Sequence, residues 1–367
     1  MSLISDVFHH PFPVMLVYFV TARCNARCKM CFYSTNTSGA QELDLREVER
    51  VSKSLPHLRW LLLSGGEPFL RPDLGDLCET FLRNSNVDYL QIPTNGSLPD
   101  VIVGATERLV ALPFCRQLVI SVSLDHIGPK HDEIRQVKGL FSKATETIRA
   151  LRQVSRTHKN LGVTVNVTCS TYNAEDLDSI IDYLDSNFDV DGLNLTLVRG
   201  NTPQPVAPPE VLRAYKRAYL RLLRDTRRYR YYHWPKKILA YGKDYLQFRL
   251  IVNAAEKNKY TLPCRAARNV AVMSETGQLY PCELRDDGLG NIRDFDYDMK
   301  KAWSSPAIRQ ARRQIALEKC FCTYECAMGP NLLFNPLWLP FAIGAGLVEW
   351  IRASLHHRGN PLAHRGT

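Results

Sequence analysis

Three cysteines, Cys24, Cys28 and Cys31, share one short stretch near the start of the chain. Thiols are the residue type that holds iron–sulfur clusters or zinc. Three thiolates on a four-iron cubane leave one iron open to a further ligand, and that open iron is where chemistry can occur. Structural zinc takes four ligands, commonly in paired short knuckles, so a lone triplet suits it less well. A second group follows much later: Cys264, Cys282, Cys320, Cys322 and Cys326. Of the eleven cysteines only Cys78, Cys115 and Cys169 stand alone. Cys169 follows an apolar run and has two readings, a hydrogen-atom donor or a small buried hydrophobe, and the second is preferred.

Length and composition bound these readings. Hydrophobic residues make up 45% and charged residues 23% of the 367, values near soluble averages that exclude a disordered chain and a polytopic membrane protein. The apolar stretch Phe12 to Val20 lacks a basic leader and a cleavage site, so the chain is expected in the cytoplasm. In a long cytoplasmic chain, clustered cysteines point to metal ligation or catalysis rather than disulfides. The net charge of +10 favours acidic partners: phosphorylated substrates, nucleic acid or anionic lipid headgroups.

The elements that must position the first triplet are short β-rich runs alternating with helical patterns: Val14–Val20, Trp60–Leu63, Tyr89–Ile92, Leu118–Leu124, Val163–Thr168 and Leu193–Val198. Near-continuous apolar runs suit strands covered on both faces, so the expectation is an α/β fold with a parallel sheet. Six βα units are too few to close a complete barrel, which predicts an open, partial (β/α)6 TIM-like barrel. Asp44 and Glu47 form a capping-box pattern that starts a helix. The triplet follows the first strand, at the carboxyl end where parallel barrels keep their active sites. Ser64-Gly65-Gly66-Glu67-Pro68 ends the second strand, Thr94-Asn95-Gly96 the third, and Ser121 to Asp125, including Ser123, the fourth. Asn95 and Asp125 equally suit turns.

Prolines between Thr202 and Pro209 mark the end of the barrel. The segment Arg213 to Lys237 interleaves arginines with tyrosines and reads as an amphipathic connector with a solvated basic face, in preference to an anion or RNA site. Val270–Met273 and Gln278–Tyr280 flank Glu275-Thr276-Gly277, a β-hairpin pattern that brings two cysteines together at its base. The expected units are a barrel over 1–205, a connector over 206–258, a cysteine-rich unit over 259–330, and an apolar then basic tail over 331–367. For the tail, packing over the open side of the barrel competes with an interfacial segment, 331–350, in peripheral contact with the inner face of a membrane.

The CxxxCxxC spacing of Cys24, Cys28 and Cys31 after a first strand resembles the signature of the radical S-adenosylmethionine (SAM) superfamily, and Ser64 to Pro68 resembles that family's GGEP motif. Arg135 and Asn95 follow in matching order. Cys264-x12-Gly277-x4-Cys282 resembles the opening of the SPASM and twitch domains appended to many such enzymes. The resemblance implies a [4Fe-4S] cluster on Cys24, Cys28 and Cys31 whose open iron chelates SAM. Reductive cleavage then gives a 5′-deoxyadenosyl radical that abstracts a hydrogen atom. It also implies SAM contacts from Met30, Ser64, Gly65, Gly66, Glu67, Pro68, Asn95 and Ser123, with Arg135 pairing the SAM carboxylate. His126 stands where relatives often carry glycine. A full SPASM domain has seven cysteines and two clusters; five here imply one auxiliary [4Fe-4S] cluster, on Cys264, Cys282 and Cys326 with Cys320 or Cys322 as fourth ligand. A structural zinc remains the alternative for this half. The expected substrate is a small molecule, sugar or lipid-linked compound, and the expected reductant a flavodoxin or ferredoxin. Thirteen residues before the first strand leave no room for a peptide-leader recognition domain, although peptide modification by another route stays open. Nucleic acid is not an expected partner, and a zinc-stabilised nucleic-acid binder is the contrasting reading.

Overall fold

The computed structural model describes residues 12–33, 41–199, 207–224, 229, 234 and 236–358, with side chains through 352. All six anticipated strands form: β1 Met15–Phe19, β2 Trp60–Ser64, β3 Tyr89–Thr94, β4 Leu118–Ser123, β5 Leu161–Cys169 and β6 Gly192–Leu197. Each pairs in parallel with its sequence neighbour. All five residues of β1 are buried, as expected for a strand covered on both faces.

Helices α1 Leu45–Lys53, α2 Leu74–Asn84, α3 Pro99–Val110, α4 Pro129–Arg135, α5 Leu140–Thr157 and α6 Leu177–Asn187 fill the crossovers. α1 begins at the expected capping box: Asp44 accepts from the Glu47 N–H at 2.8 Å, and Glu47 accepts from the Asp44 N–H at 2.9 Å. The hairpin also forms, as β7 Val270–Met273 and β8 Leu279–Tyr280. Its turn uses Gly277 at φ +84, a conformation glycine adopts without steric cost. β7 pairs in parallel with β1, Met15 opposite Val270, so the hairpin extends the barrel into one eight-stranded sheet ordered β6-β5-β4-β3-β2-β1-β7-β8.

Connector helices α7 Pro209–Leu222 and α8 Lys236–Lys257 follow the barrel. α7 buries Tyr215 and Tyr219 and turns its basic residues outward, where Arg217 meets Asp178 at 2.5 Å and Lys216 meets Glu256 at 2.6 Å. This is the amphipathic connector; Arg227, Arg228, Arg230, Tyr231 and Tyr232 lie outside the described residues. After α9 Met299–Trp303 and α10 Pro306–Leu317, the chain ends in α11 Glu325–Leu333 and α12 Leu339–Arg358. α12 crosses α8 closely, because a side chain at Gly242 would meet Ala342 O at 1.7 Å and one at Gly346 would meet Ile238 O at 2.0 Å. Phe334, just past α11, packs edge-on against Trp60 at the amino end of β2, ring centroids 5.5 Å apart. Among the described residues no helix is long and apolar enough to cross a membrane.

Candidate active site

The loop leaving β1 carries the first thiols. Cys24 and Cys28 are half-buried and Cys31 is exposed. Burial pushes the Cys24 thiol up to about 11, and its hydrogen bond from the Ala26 N–H, 3.4 Å, only partly offsets this. The loop is fixed from two sides. On one, the N–H groups of Gly66 and Glu67 donate to Thr21 O and Arg23 O, both at 2.8 Å. A side chain at Gly66 would stand 2.0 Å from Arg23 O, and Gly65 sits at φ +122. These glycines let two backbones touch, so their demonstrated contact is with the cysteine loop. On the other side, the N–H groups of Arg27 and Lys29 donate to Arg135 O at 3.2 Å and Ile134 O at 3.0 Å.

Glu67 faces inward. Its carboxylate accepts from Thr94 Oγ1 at 2.8 Å, Asn95 N at 2.7 Å and Phe69 N at 3.3 Å. Burial raises its pKa to about 7, against the pull of these donors. Asn95 in turn donates to Asn25 Oδ1 at 2.8 Å, inside the cysteine loop, and Asn25 donates to Ser97 Oγ at 2.8 Å. The side chains of Glu67 and Asn95, expected at SAM, are thus engaged in joining the ends of β2 and β3 to the thiol loop.

Arg135 behaves similarly. Its Nε donates to the fully buried Asp125 at 2.6 Å, its Nη2 lies 2.5 Å from the same carboxylate oxygen, and its Nη1 reaches Cys28 Sγ at 3.5 Å. Met30 is buried with Ile134 and Val198, while Ser64 and Ser123 stand half-buried at the carboxyl ends of β2 and β4. Pro68 opens a buried 3-10 turn. His126 meets Asp176 at 3.0 Å. Cys169 is fully buried, donating to Val211 O at 3.6 Å, which is the small-hydrophobe reading; Cys78 and Cys115 are core residues.

In the second thiol group Cys264 and Cys320 are close neighbours, and Cys264 together with Arg285 holds the Cys320 thiol below its ordinary range. Cys282 has Cys322 and Cys320 as electrostatic neighbours. Cys326 has Arg199, Glu283 and Glu325 as electrostatic neighbours and packs against the cluster of Met15, Val17, Phe19, Val270 and Val272. Cys264, Cys282, Cys320 and Cys322 are thus linked as electrostatic neighbours. Among the described residues no three His, Cys, Asp or Glu converge as a single metal ion requires; a cubane offers its iron atoms at separate corners and has a wider demand.

Arg199, at the end of β6, was not singled out by sequence. It pairs with Glu283 at 3.3 Å and Glu325 at 3.2 Å, and stacks on Tyr324 at 4.3 Å and Phe32 at 5.2 Å. The available signal was adjacency, since Glu283 follows Cys282 and Glu325 precedes Cys326. Arg199 lines a cleft of about 500 Å³ that reaches from Phe32, next to Cys31, to Cys322 and Glu283. Three thiols on one loop, with a guanidinium at one of them, fit an anionic cluster bound through three ligands.

Residues 18–184 match the Radical SAM superfamily. The chain carries a radical SAM domain. Enzymes of this superfamily use SAM and a [4Fe-4S] cluster. The chain is 28% identical over 160 residues to the pre-heme d1 synthase of Dinoroseobacter shibae, covering 40% of this chain and 38% of that protein. It is 25% identical over 349 residues to the AdoMet-dependent heme synthase of Methanosarcina barkeri, covering 85% of this chain and 89% of that one. The chain spans less than half of the first relative and most of the second. Its fold is shared with anSMEcpe solved with bound AdoMet, at TM-score 0.58 and 16% identity, over 94% of this chain and 97% of that one.

Proposed function

We propose that this radical SAM enzyme binds a substrate in the cleft between its two cysteine groups and removes a hydrogen atom from an unactivated C–H bond. SAM, bound at a [4Fe-4S] cluster, supplies the 5′-deoxyadenosyl radical for that abstraction. Cys24, Cys28 and Cys31 are the cluster ligands. Ser64, Gly65 and Ser123 line the SAM position at the strand ends. Met30, Gly66, Glu67, Pro68, Asn95 and Arg135 complete the SAM site, and Gly66, Glu67, Asn95 and Arg135 also brace the loop that presents the thiols. Cys264, Cys282, Cys320 and Cys322 hold one auxiliary cluster.

The observation that carries this reading is the cleft running from the loop of Cys31 to Cys322. Its walls join Phe32, Phe321 and Leu284 to Arg199, Glu283 and Asp286, which suits a small or lipid-linked molecule with polar and apolar parts. An external one-electron donor of the flavodoxin or ferredoxin kind completes the system. The test is to reconstitute the full chain anaerobically with iron and sulfide, reduce it, add SAM and measure 5′-deoxyadenosine. Deuterium arriving in that nucleoside from a labelled candidate identifies the substrate. Protein that loads zinc at Cys24, Cys28 and Cys31, or that leaves SAM intact under strong reductant, sinks the reading. Peptides belong in the same screen, because anSMEcpe was also solved with a Cp18Cys peptide.

A further inference from the structure

We infer that α12 docks this protein flat on an anionic lipid bilayer. Eleven large apolar side chains are exposed among the described residues; seven lie between Leu337 and Ile351, and an eighth is Trp234. Scattered apolar residues need no explanation, but a contiguous patch on one helix does. One face of α12 is committed to protein, through Ala342 and Gly346 against α8, and the opposite side presents Phe341 and Leu347, 65% and 38% exposed. A helix held by a neighbour along one face, with apolar residues along the other, meets a bilayer in its plane.

Charge names the occupant. Trp234 and Trp350 approach with ring centroids 6.3 Å apart, so the tail helix lies beside the basic connector. Lys236 and Lys237 follow Trp234 at the start of α8, and the chain carries a net charge of +10. The only acid of α12, Glu349, is paired with Arg352 at 2.7 Å. Tryptophan beside an apolar helix face, with clustered Lys and Arg, is the composition that binds a negatively charged membrane surface. A second copy of the chain fits poorly, since a two-fold contact here would set one basic segment against another.

Docking leaves the cleft open. Gly242 of α8 lies under α12, whereas Asn258, just past the end of α8, lines the cleft; at 1.5 Å per residue these are about 24 Å apart.

The test is flotation of the full chain with vesicles of phosphatidylcholine alone, or mixed with phosphatidylglycerol at about three to one. Partition should be at least about tenfold stronger onto the anionic vesicles and fall as salt rises. Phe341→Glu with Leu347→Glu, both at exposed positions, should weaken it about tenfold or more with an unchanged melting temperature. Because neither residue touches the thiol loop or the cleft, 5′-deoxyadenosine formation in solution reports on the radical reading separately. Equal partition of parent and variant overturns the proposal. So does a dimer that the variant dissolves without any vesicle binding, which assigns the face to a second copy.

Discussion

Glu67 and Asn95 are joined by a 2.7 Å hydrogen bond from the Asn95 backbone nitrogen to a buried carboxylate oxygen. Two strands and the thiol loop depend on that carboxylate, because Asn95 also holds Asn25. Glu67→Gln would turn an NH2 group toward backbone or hydroxyl donors. A loss of about 2 kcal/mol is expected, with lower iron content after reconstitution; an unchanged urea midpoint would show that the network does not brace the loop.

Gly66→Ala tests the second brace. With Arg23 O only 2.0 Å from the new methyl group, the cysteine loop must shift or the fold must loosen. Destabilisation of at least about 2 kcal/mol is expected, the range of steric clashes in packed sites, again with impaired cluster loading measured by absorbance.

Iron counting separates the thiols. Wild-type protein should load about eight irons, and Cys24→Ala/Cys28→Ala/Cys31→Ala about four, the content of one remaining cubane. Cys320→Ala should lose the auxiliary cluster, whereas Cys326→Ala should retain both. The reverse result for the last two variants would return Cys326 to the ligand set.

Arg199 faces the buried carboxylates of Glu283 and Glu325. Arg199→Ala leaves both unpaired and should cost about 3–5 kcal/mol, while Arg199→Lys, lacking the fork, should recover only part of this. Equilibrium denaturation of the three proteins decides it.

Glu47 sets a pH dependence. Arg293, at 2.7 Å and 3.0 Å, together with the Asp44 N–H and Tyr297, holds its carboxyl down at about 2, below the ordinary 4.5. A depressed carboxylate stabilises the folded state above its unfolded value and loses that contribution as pH falls toward 2. Glu47→Gln should therefore lower stability by about 1–2 kcal/mol at pH 7 and by progressively less between pH 4.5 and 2. A constant difference across that window would argue that the ion pair contributes nothing.

What the sequence determined by itself was local. Strand positions followed from apolar runs such as Val14–Val20, the α1 start from Asp44 and Glu47, the hairpin from Glu275-Thr276-Gly277, and the family resemblance from the spacing of Cys24, Cys28 and Cys31, because each is written within a few neighbouring residues. Tertiary structure decided which distant groups meet. Glu67, Asn95 and Arg135 turned toward their own protein because burial obliges polar groups to find partners, and those partners lie on other strands or helices. Arg199 joins Glu283 and Glu325 across intervals of 84 and 126 residues, and Trp234 meets Trp350. No periodicity encodes such contacts: they exist only once β7 has paired with β1 and α12 has crossed α8.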